Sequence, residues 1–278
     1  MSNFEKVTVY GGLLFYLYGM IFAFAGVKNG DARALARGRL GALIGAFDHA
    51  LALFSFGART GHFPVTSAFE AFLFLSTMFS LVALALDWYR RLSVLVVGTL
   101  PLAVATTILA VTLTLAPSSA AGPHPVSNAW TIVHIFIAIG SYGAFAIAFV
   151  AGILYLVGQR NLKQQGAGSI LGLLPSLEAV SRVNVASIAA GAALLAGGIV
   201  VGYLQARKEF VGKGPEWRVD VKIILSTITF AVYTAVLILS ARPSFKGRRT
   251  ALASVLSFFL VLANFCTSLF GSGIHRYR

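Results

Sequence analysis

The sequence has almost no cysteine and few charged residues. Cys266 is the single cysteine among 278 residues, so the chain has neither an internal disulfide framework nor a Cys-x-x-Cys redox pair. It lies inside an apolar run and is predicted to be a small buried side chain. Charged residues make up 11% of the sequence, whereas an ordinary soluble domain has about a quarter. These shortages exclude a thiol oxidoreductase and an ordinary soluble domain.

Long apolar runs take up most of the chain. Hydrophobic residues make up 58% of it, and the mean hydropathy is +0.83. Each of eight runs is close to the roughly 20 residues that cross the hydrocarbon core of a bilayer. A helix keeps the backbone of such a run hydrogen-bonded in lipid. The runs are 7–27, 40–56, 68–86, 93–116, 130–157, 185–204, 223–240 and 251–270. The sequence therefore predicts an all-α polytopic membrane bundle of eight transmembrane helices, forming a single domain over residues 1–278.

The net charge of +13 would indicate nucleic acid in a soluble protein. In a membrane protein it has a simpler source, because cytoplasmic loops collect Lys and Arg. Alternate connections hold thirteen and nine basic residues, and five of the nine lie in the segment 207–222. The side with thirteen is predicted to be cytoplasmic, which places both termini on the outer (periplasmic) side. No nucleic-acid partner is expected.

The histidines fall into two groups on this topology. Four lie at or near the predicted outer surface, namely His62, His124, His134 and His275. His62 and His124 are interpreted as solvated loop residues. The fifth, His49, lies mid-span beside Asp48. Because a carboxylate at the bilayer centre costs about 2.5 to 3.5 kcal/mol, Asp48 should face protein or water. A neutral Asp–His pair that joins helices and a proton or ligand site are equally consistent with this placement.

Two of the outer histidines could share one heme iron. His134 begins the fifth run and His275 follows the eighth, and imidazoles from separate helices can bind heme iron from opposite sides. A porphyrin also needs aromatic contact and cations for its propionates. The residues that could supply these are Trp217, Arg207, Lys213, Arg218 and Arg276. On spacing alone the simpler interpretation is favoured, in which the histidines lie at the interface and the basic residues meet lipid phosphates. A metal hydrolase is disfavoured because the chain has no His-Glu-x-x-His.

Several short segments carry a more specific signal. In chain order they are Gly61-His62-Phe63-Pro64, Trp130-Thr131-Ile132-Val133-His134, Leu174-Pro175-Ser176-Leu177-Glu178, Gly247-Arg248-Arg249 and Gly273-Ile274-His275-Arg276-Tyr277. Together they resemble the CcsA/HemX cytochrome c assembly family, and the resemblance covers most of the chain.

Members of that family are multi-helix membrane proteins that handle heme at the outer face. The resemblance implies that His134 and His275 match the two outer histidines that bind heme iron. It also implies that Trp217, Asp220 and Lys222 match part of the tryptophan-rich loop that holds the porphyrin, and Arg218 beside them is the candidate cation already named for a propionate. It further implies non-covalent heme b in transit, a partner assembly membrane protein, an apocytochrome c, and the bacterial cytoplasmic membrane as the location.

The loop departs from the family pattern. Val219 and Val221 stand on either side of Asp220 where a tryptophan and a proline are expected. Each lost aromatic side chain removes roughly 150 to 250 Å² of potential porphyrin contact. A HemX-like regulator or scaffold of tetrapyrrole supply that does not bind heme is therefore the second hypothesis.

A third hypothesis is a proton or small-solute transporter that uses Asp48, His49 and Glu70, because ionisable residues inside a membrane are often functional. It ranks last, since the sequence has no evident inverted repeat or pair of broken helices. No bond-making residue is visible either. Any heme ligase activity is therefore expected to belong to an assembled complex.

Overall fold

The computed structural model describes residues 1–65, 67–90, 93–115, 129–163, 176–209 and 220–270. Within these ranges the chain forms eight helices, each long and apolar enough to cross a membrane. They are α1 (Asn3–Asn29), α2 (Ala32–Thr60), α3 (Ala68–Arg90), α4 (Ser93–Leu115), α5 (Ala129–Lys163), α6 (Leu177–Glu209), α7 (Val221–Ser240) and α8 (Arg248–Phe270). The predicted all-α, multi-pass membrane architecture is confirmed.

Local sequence signals set several helix ends. Ser2 and Glu5 form a capping box at the start of α1, in which each side chain accepts a hydrogen bond from the other's backbone N–H. Gly30 and Gly61 end α1 and α2 in the left-handed conformation, with φ of 69° and 71°. The side chain of Asp220 caps α7 by accepting a hydrogen bond from the backbone N–H of Lys222 at 2.9 Å.

The helices run alternately up and down. One end of the bundle, called here the N-terminal end, contains the start of each odd-numbered helix and the end of each even-numbered helix. Glu5 at the start of α1 pairs there with Arg59 at the end of α2. The rings of Phe72 in α3 and Phe265 in α8 lie 4.4 Å apart near the same end. The first and last helices thus have their outer chain ends on one side, as predicted; that this side is periplasmic stays a prediction.

Helices α1 and α2 form a tight hairpin. Glycines on facing surfaces allow the two backbones to touch, because a Cβ atom on Gly41 would stand 2.6 Å from the Cα of Gly19. Small residues permit this kind of close approach between helices in a membrane. The hairpin packs in turn against α3 and α4.

Helix α5 is the central helix of the remaining six and contacts α3, α4, α6 and α8. Ser141, Phe145 and Ala148, which the helical spacing of the sequence places on one face with other small residues, are buried. The ring of Phe145 stacks on that of Tyr233 from α7, with centroids 3.8 Å apart. The ring of Phe149 stacks in the same way on Phe258 of α8.

The sixth helix begins before the apolar run 185–204 that predicts it. Leu177, for which the sequence pattern alone favours a separate short surface helix, is the first residue of α6 itself. Asn184, just before the apolar run, is buried inside the bundle. The Asn184 side chain donates hydrogen bonds to the carbonyl oxygen of Ala148 (2.6 Å) and to the hydroxyl of Ser254 (2.8 Å), which joins α5, α6 and α8.

Candidate functional site

His134 lies one and a half turns into α5, at the N-terminal end of the bundle, and faces α6. Its Nδ1 is 2.8 Å from the carbonyl oxygen of Gly198. A carbonyl only accepts hydrogen bonds, so Nδ1 carries the proton and donates it. Nε2 then keeps its lone pair, and among the described residues it has no hydrogen-bond partner. This is the arrangement of a metal-ligating histidine, in which the second nitrogen fixes tautomer and orientation.

Two glycines of α6 form the surface against which the ring packs. A Cβ atom on Gly202 would lie 2.6 Å from Cε1 and 3.0 Å from Nδ1 of His134, so any side chain there would displace the ring. Gly198, one turn earlier, supplies the carbonyl. In the sequence, Gly198-x-x-x-Gly202 is a general motif of helix packing in membranes, and the structure shows that the imidazole requires glycine at position 202.

A further hydrogen bond fixes α5 to α6 closer to the end of the bundle. The Gln205 side chain in α6 donates to the hydroxyl of Thr131 in α5. Thr131 is three residues before His134, and Gln205 is three residues after Gly202. The imidazole is therefore positioned by bonds on both sides of it along the helix pair.

Lys222 brings a positive charge to the same place. It is the second residue of α7, and its ammonium interacts electrostatically with the imidazole of His134. Its side chain is partly buried between the helices. The structure thus brings together His134 and Lys222, two of the residues predicted from the sequence.

Asp220 precedes α7 two residues before Lys222, and its carboxylate is engaged as the cap of that helix. Its capping bond to the backbone of Lys222 helps to fix the start of that helix and so the direction of the lysine side chain. The remaining predicted site residues, His275, Trp217 and Arg218, lie outside the described residues.

The other candidate histidines have different environments. His62 is partly buried, with Nδ1 3.2 Å from the carbonyl oxygen of Phe63. The neighbouring Phe63 ring packs on Phe136 of α5 at 5.5 Å, so this segment covers the N-terminal end of the bundle close to His134. His124 lies outside the described residues.

His49 joins helices without Asp48. Of the two interpretations left open, the Asp48–His49 pair does not form, because the two side chains point in different directions from α2. His49 is fully buried, with Nδ1 2.9 Å from the hydroxyl of Ser76 and Nε2 3.3 Å from the carbonyl oxygen of Val9. A neutral imidazole satisfies both contacts by donating from Nε2 and accepting at Nδ1. His49 thereby connects α2 to α1 and α3.

Glu70, the third residue considered for a transporter, is buried at the start of α3. Its carboxylate accepts a hydrogen bond from the backbone N–H of Ser67 at 3.2 Å, and the Ser67 hydroxyl accepts one from the N–H of Glu70. This reciprocal pair is a capping box and gives Glu70 a local role at the helix end.

A groove of about 190 Å³ lies between α3, α4, α5 and α8. Its walls are almost wholly apolar, with Tyr142 and Cys266 among the lining residues. Cys266 is exposed rather than buried as the sequence suggested, because it lies where α8 borders this groove. Tyr142 is eight residues from His134 along α5, or about 12 Å. The groove is therefore separate from the imidazole and offers no cation for an anionic ligand.

Residues 65–275 match the model of the family described as Cytochrome C assembly protein. The HemX protein of Brevibacillus brevis is 26% identical over 206 residues, which cover 74% of each chain. The cytochrome c biogenesis protein CcsA of Mesostigma viride is 25% identical over 285 residues, covering 94% of this chain and 91% of that protein. The CcsA protein of Gloeobacter violaceus is 26% identical over 273 residues, covering 79% of each. The matched region contains the site on α5, α6 and α7, and the chain belongs to the cytochrome c assembly protein family.

Proposed function

We propose that this membrane protein binds heme non-covalently at the N-terminal end of the bundle and presents it for attachment to an apocytochrome c. Family membership supports a role in c-type cytochrome assembly. The observation that carries the heme site is the imidazole of His134, whose Nδ1 is fixed by a backbone carbonyl and whose Nε2 has a lone pair free for iron.

His275 is proposed as the second iron ligand. Helix α8 ends at Phe270, at the same end of the bundle as His134. His275 follows Phe270 by five residue steps, which span at most about 18 Å. The ring of Phe265 lies 5.9 Å from that of Tyr142, so the last turns of α8 already pack beside α5. These facts support a return of the C-terminal segment toward His134.

Cations and an aromatic ring are proposed to bind the rest of the porphyrin. Lys222 is close enough to His134 to interact with it, and its ammonium would pair with a propionate carboxylate of heme bound there. Trp217 and Arg218 belong to the connection between α6 and α7, whose two ends, at Glu209 and Asp220, both lie at the N-terminal end of the bundle. We assign Trp217 to ring contact and Arg218 to the second propionate. Asp220 would act by fixing the start of α7.

The cargo in this proposal is heme b, because the chain lacks the cysteine pair needed to bind heme covalently. The covalent bond would form on the apocytochrome, and ligase activity would belong to a complex with a partner assembly membrane protein.

We place the protein in the bacterial cytoplasmic membrane, with the site facing the periplasm. Residues 1–278 are proposed to form one domain, since the α1–α2 hairpin outside the matched region packs on α3 and α4.

The test is the heme spectrum of the purified protein. The wild type should show a Soret band and the reduced spectrum of a bis-imidazole heme. His134→Ala combined with His275→Ala should lose most of that absorbance, while His62→Ala, a control at the same end of the bundle, should retain it. No Soret band in the wild type, or an unchanged band in the double variant, would contradict heme binding.

A second function is favoured by one observation. Asp220, which the family resemblance assigns to the porphyrin loop, is used as the cap of α7. A HemX-like scaffold that regulates tetrapyrrole supply without binding heme would need Asp220 only in that structural role. In that case a strain that carries His134→Ala should mature c-type cytochromes normally and should show altered tetrapyrrole levels only when the whole gene is deleted.

A further inference from the structure

Asp48 is an acidic residue near the middle of the membrane. It lies 16 residues after Ala32 and 12 residues before Thr60, the two ends of α2. At 1.5 Å per residue these separations are about 24 Å and 18 Å. A hydrocarbon core of about 30 Å centred on this helix therefore places Asp48 within a few ångströms of its midplane.

Among the described side chains, Asp48 is the one carboxylate without a hydrogen bond or ion pair. Glu5 pairs with Arg59, Asp87 with Arg39 and Glu178 with Arg182. Asp31, Glu70 and Asp220 cap helices. Asp48 is partly exposed at the surface of the bundle. Carboxylates inside a membrane are rare and usually paired, so this exception indicates a partner from outside the described part of the chain.

The carboxylate is uncovered because the residue opposite it on α1 is a glycine. A Cβ atom on Gly11 would lie 3.2 Å from Oδ2 of Asp48, so any side chain at this position would press against the carboxylate. Gly11 and Asp48 thus form a shallow notch, called here the Gly11–Asp48 notch. Glycine at such a position lets another helix approach closely, which is the usual construction of a helix interface in lipid.

Apolar residues continue the notch along both helices. Val7, Gly11 and Phe15 follow one another at intervals of four on α1, and Val7 and Phe15 are exposed. Ile44 and Leu51 flank Asp48 on α2 at the same side, at intervals of four and three, and are partly exposed. The result is an apolar strip about two turns long with one carboxylate at its centre, a surface on which a single transmembrane helix can pack.

Charge indicates which kind of helix fits. Within the described helices, every Lys and Arg lies within two turns of a helix end. The described helices of a second copy therefore offer no cation at mid-membrane, and a two-fold interface at the notch would bring two carboxylates together. A different polypeptide that carries Lys or Arg near the middle of a transmembrane helix could form an ion pair with the carboxylate of Asp48.

We propose that the Gly11–Asp48 notch is the docking site for a transmembrane helix of a partner membrane protein, which brings a basic side chain to the carboxylate at the bilayer midplane. The α1–α2 hairpin lies before the matched region 65–275, so this surface is separate from the part of the chain that carries His134. The hairpin holds the partner and the remaining helices hold the ligand site.

The test uses the full-length protein in lipid nanodiscs with two synthetic 20-residue Leu/Ala helices as probes. One probe has Arg at its centre and the other has Leu, and each carries a fluorescent acceptor. The Arg probe should associate with the wild type about ten-fold more tightly than the Leu probe. Asp48→Leu should reduce the affinity for the Arg probe to that for the Leu probe. Ala50→Leu, an exposed position on α2 away from the notch, should leave the preference unchanged.

Three results would overturn the proposal: equal affinity for the two probes, an Arg preference that survives Asp48→Leu, or self-association of the wild type that Asp48→Leu abolishes. Gly11→Leu is a second variant, which fills the notch but keeps the carboxylate. It should also weaken binding of the Arg probe. Asp48→Leu should keep the heme spectrum of the wild type, so that failure of this proposal and failure of the heme proposal give different results.

Discussion

The imidazole of His134 rests on the backbone of α6 at Gly202, with 2.6 Å between its Cε1 and the point a Cβ atom on that residue would occupy. The same ring is hydrogen-bonded to the carbonyl of Gly198 one turn earlier. Position 202 therefore controls the direction of Nε2, the atom proposed to bind iron, although glycine has no side chain of its own.

Gly202→Ala should displace the His134 ring and reduce heme occupancy several-fold. The added methyl group overlaps the imidazole, and overpacking of this kind destabilises a protein by about 1 to 3 kcal/mol. The measurement is the Soret absorbance per mole of purified protein, together with the position of the reduced bands, which report the axial ligands. Imidazole added to the buffer should restore part of the spectrum, because it can replace a misplaced ligand.

Gly197→Ala is the matched control for that substitution. It lies on the same helix, and its added Cβ would meet only Ile137 at 3.8 Å, an ordinary contact distance. The variant should keep both heme occupancy and stability. An equal loss of heme occupancy in the two variants would show that α6 tolerates an added methyl group at neither position. The effect of Gly202→Ala could then not be assigned to His134.

His49→Gln should leave the heme spectrum unchanged. Nε2 of His49 is engaged by Val9 and Nδ1 by Ser76, so neither nitrogen is free to bind iron. Glutamine can keep one of these hydrogen bonds, whereas His49→Ala leaves a cavity in a fully buried position and should destabilise the protein by about 2 kcal/mol or more. Thermal unfolding in detergent measures the second effect. A change in axial ligation in His49→Gln would return this residue to the candidate ligands.

The eight spans were predictable because each is a long apolar run. Burial of one face of α5 at Ser141, Phe145 and Ala148 was also predictable, because small residues recur there every three or four positions. The rotation of side chains about α2 was not predictable. Asp48 and His49 are neighbours in sequence, yet consecutive helix residues point about 100° apart, so one faces the surface and the other the core. The partners Ser76 and Val9 belong to other helices, and no local pattern identifies them.

The same limit applies to the candidate site. His134 could be identified because it stands at the boundary of an apolar run, and Lys222 because its segment resembles part of the family's tryptophan-rich loop. The role of Gly202 depends on how far α6 extends and how it faces α5. The sixth apolar run begins at residue 185, eight residues after the start of α6, because the buried partners of Asn184 belong to other helices and no local pattern identifies them.

Asn184→Ala should weaken the packing of α6 against α5 and α8. It removes the bonds to the Ala148 carbonyl and the Ser254 hydroxyl, and side-chain hydrogen bonds within membrane bundles average about 0.6 kcal/mol each, so a loss of about 1 kcal/mol is expected. The measurement is the free energy of unfolding in mixed micelles. Ser254→Ala should lose about half as much, and the double variant should be less destabilised than the sum, because the two residues share one bond. Strict additivity would mean that this bond contributes nothing.

Arg59→Ala should destabilise the α1–α2 hairpin far more than removal of an arginine from a surface pair. Glu5 is fully buried, and Arg59 donates to both of its carboxylate oxygens, at 2.9 Å and 3.2 Å. A hydrogen bond to a charged group contributes about 1.5 to 3 kcal/mol, and the half-exposed guanidinium places the expected loss near the lower value.

Arg182→Ala breaks the exposed pair with Glu178 in α6 and should cost less than about 0.5 kcal/mol. Limited proteolysis of the connection between α2 and α3 supplies the second measurement, because loss of the pair frees the end of α2. If both variants unfold at the same temperature, the Glu5–Arg59 pair does not stabilise the hairpin. The capping box of α1 and the glycine contacts between α1 and α2 then stabilise it instead.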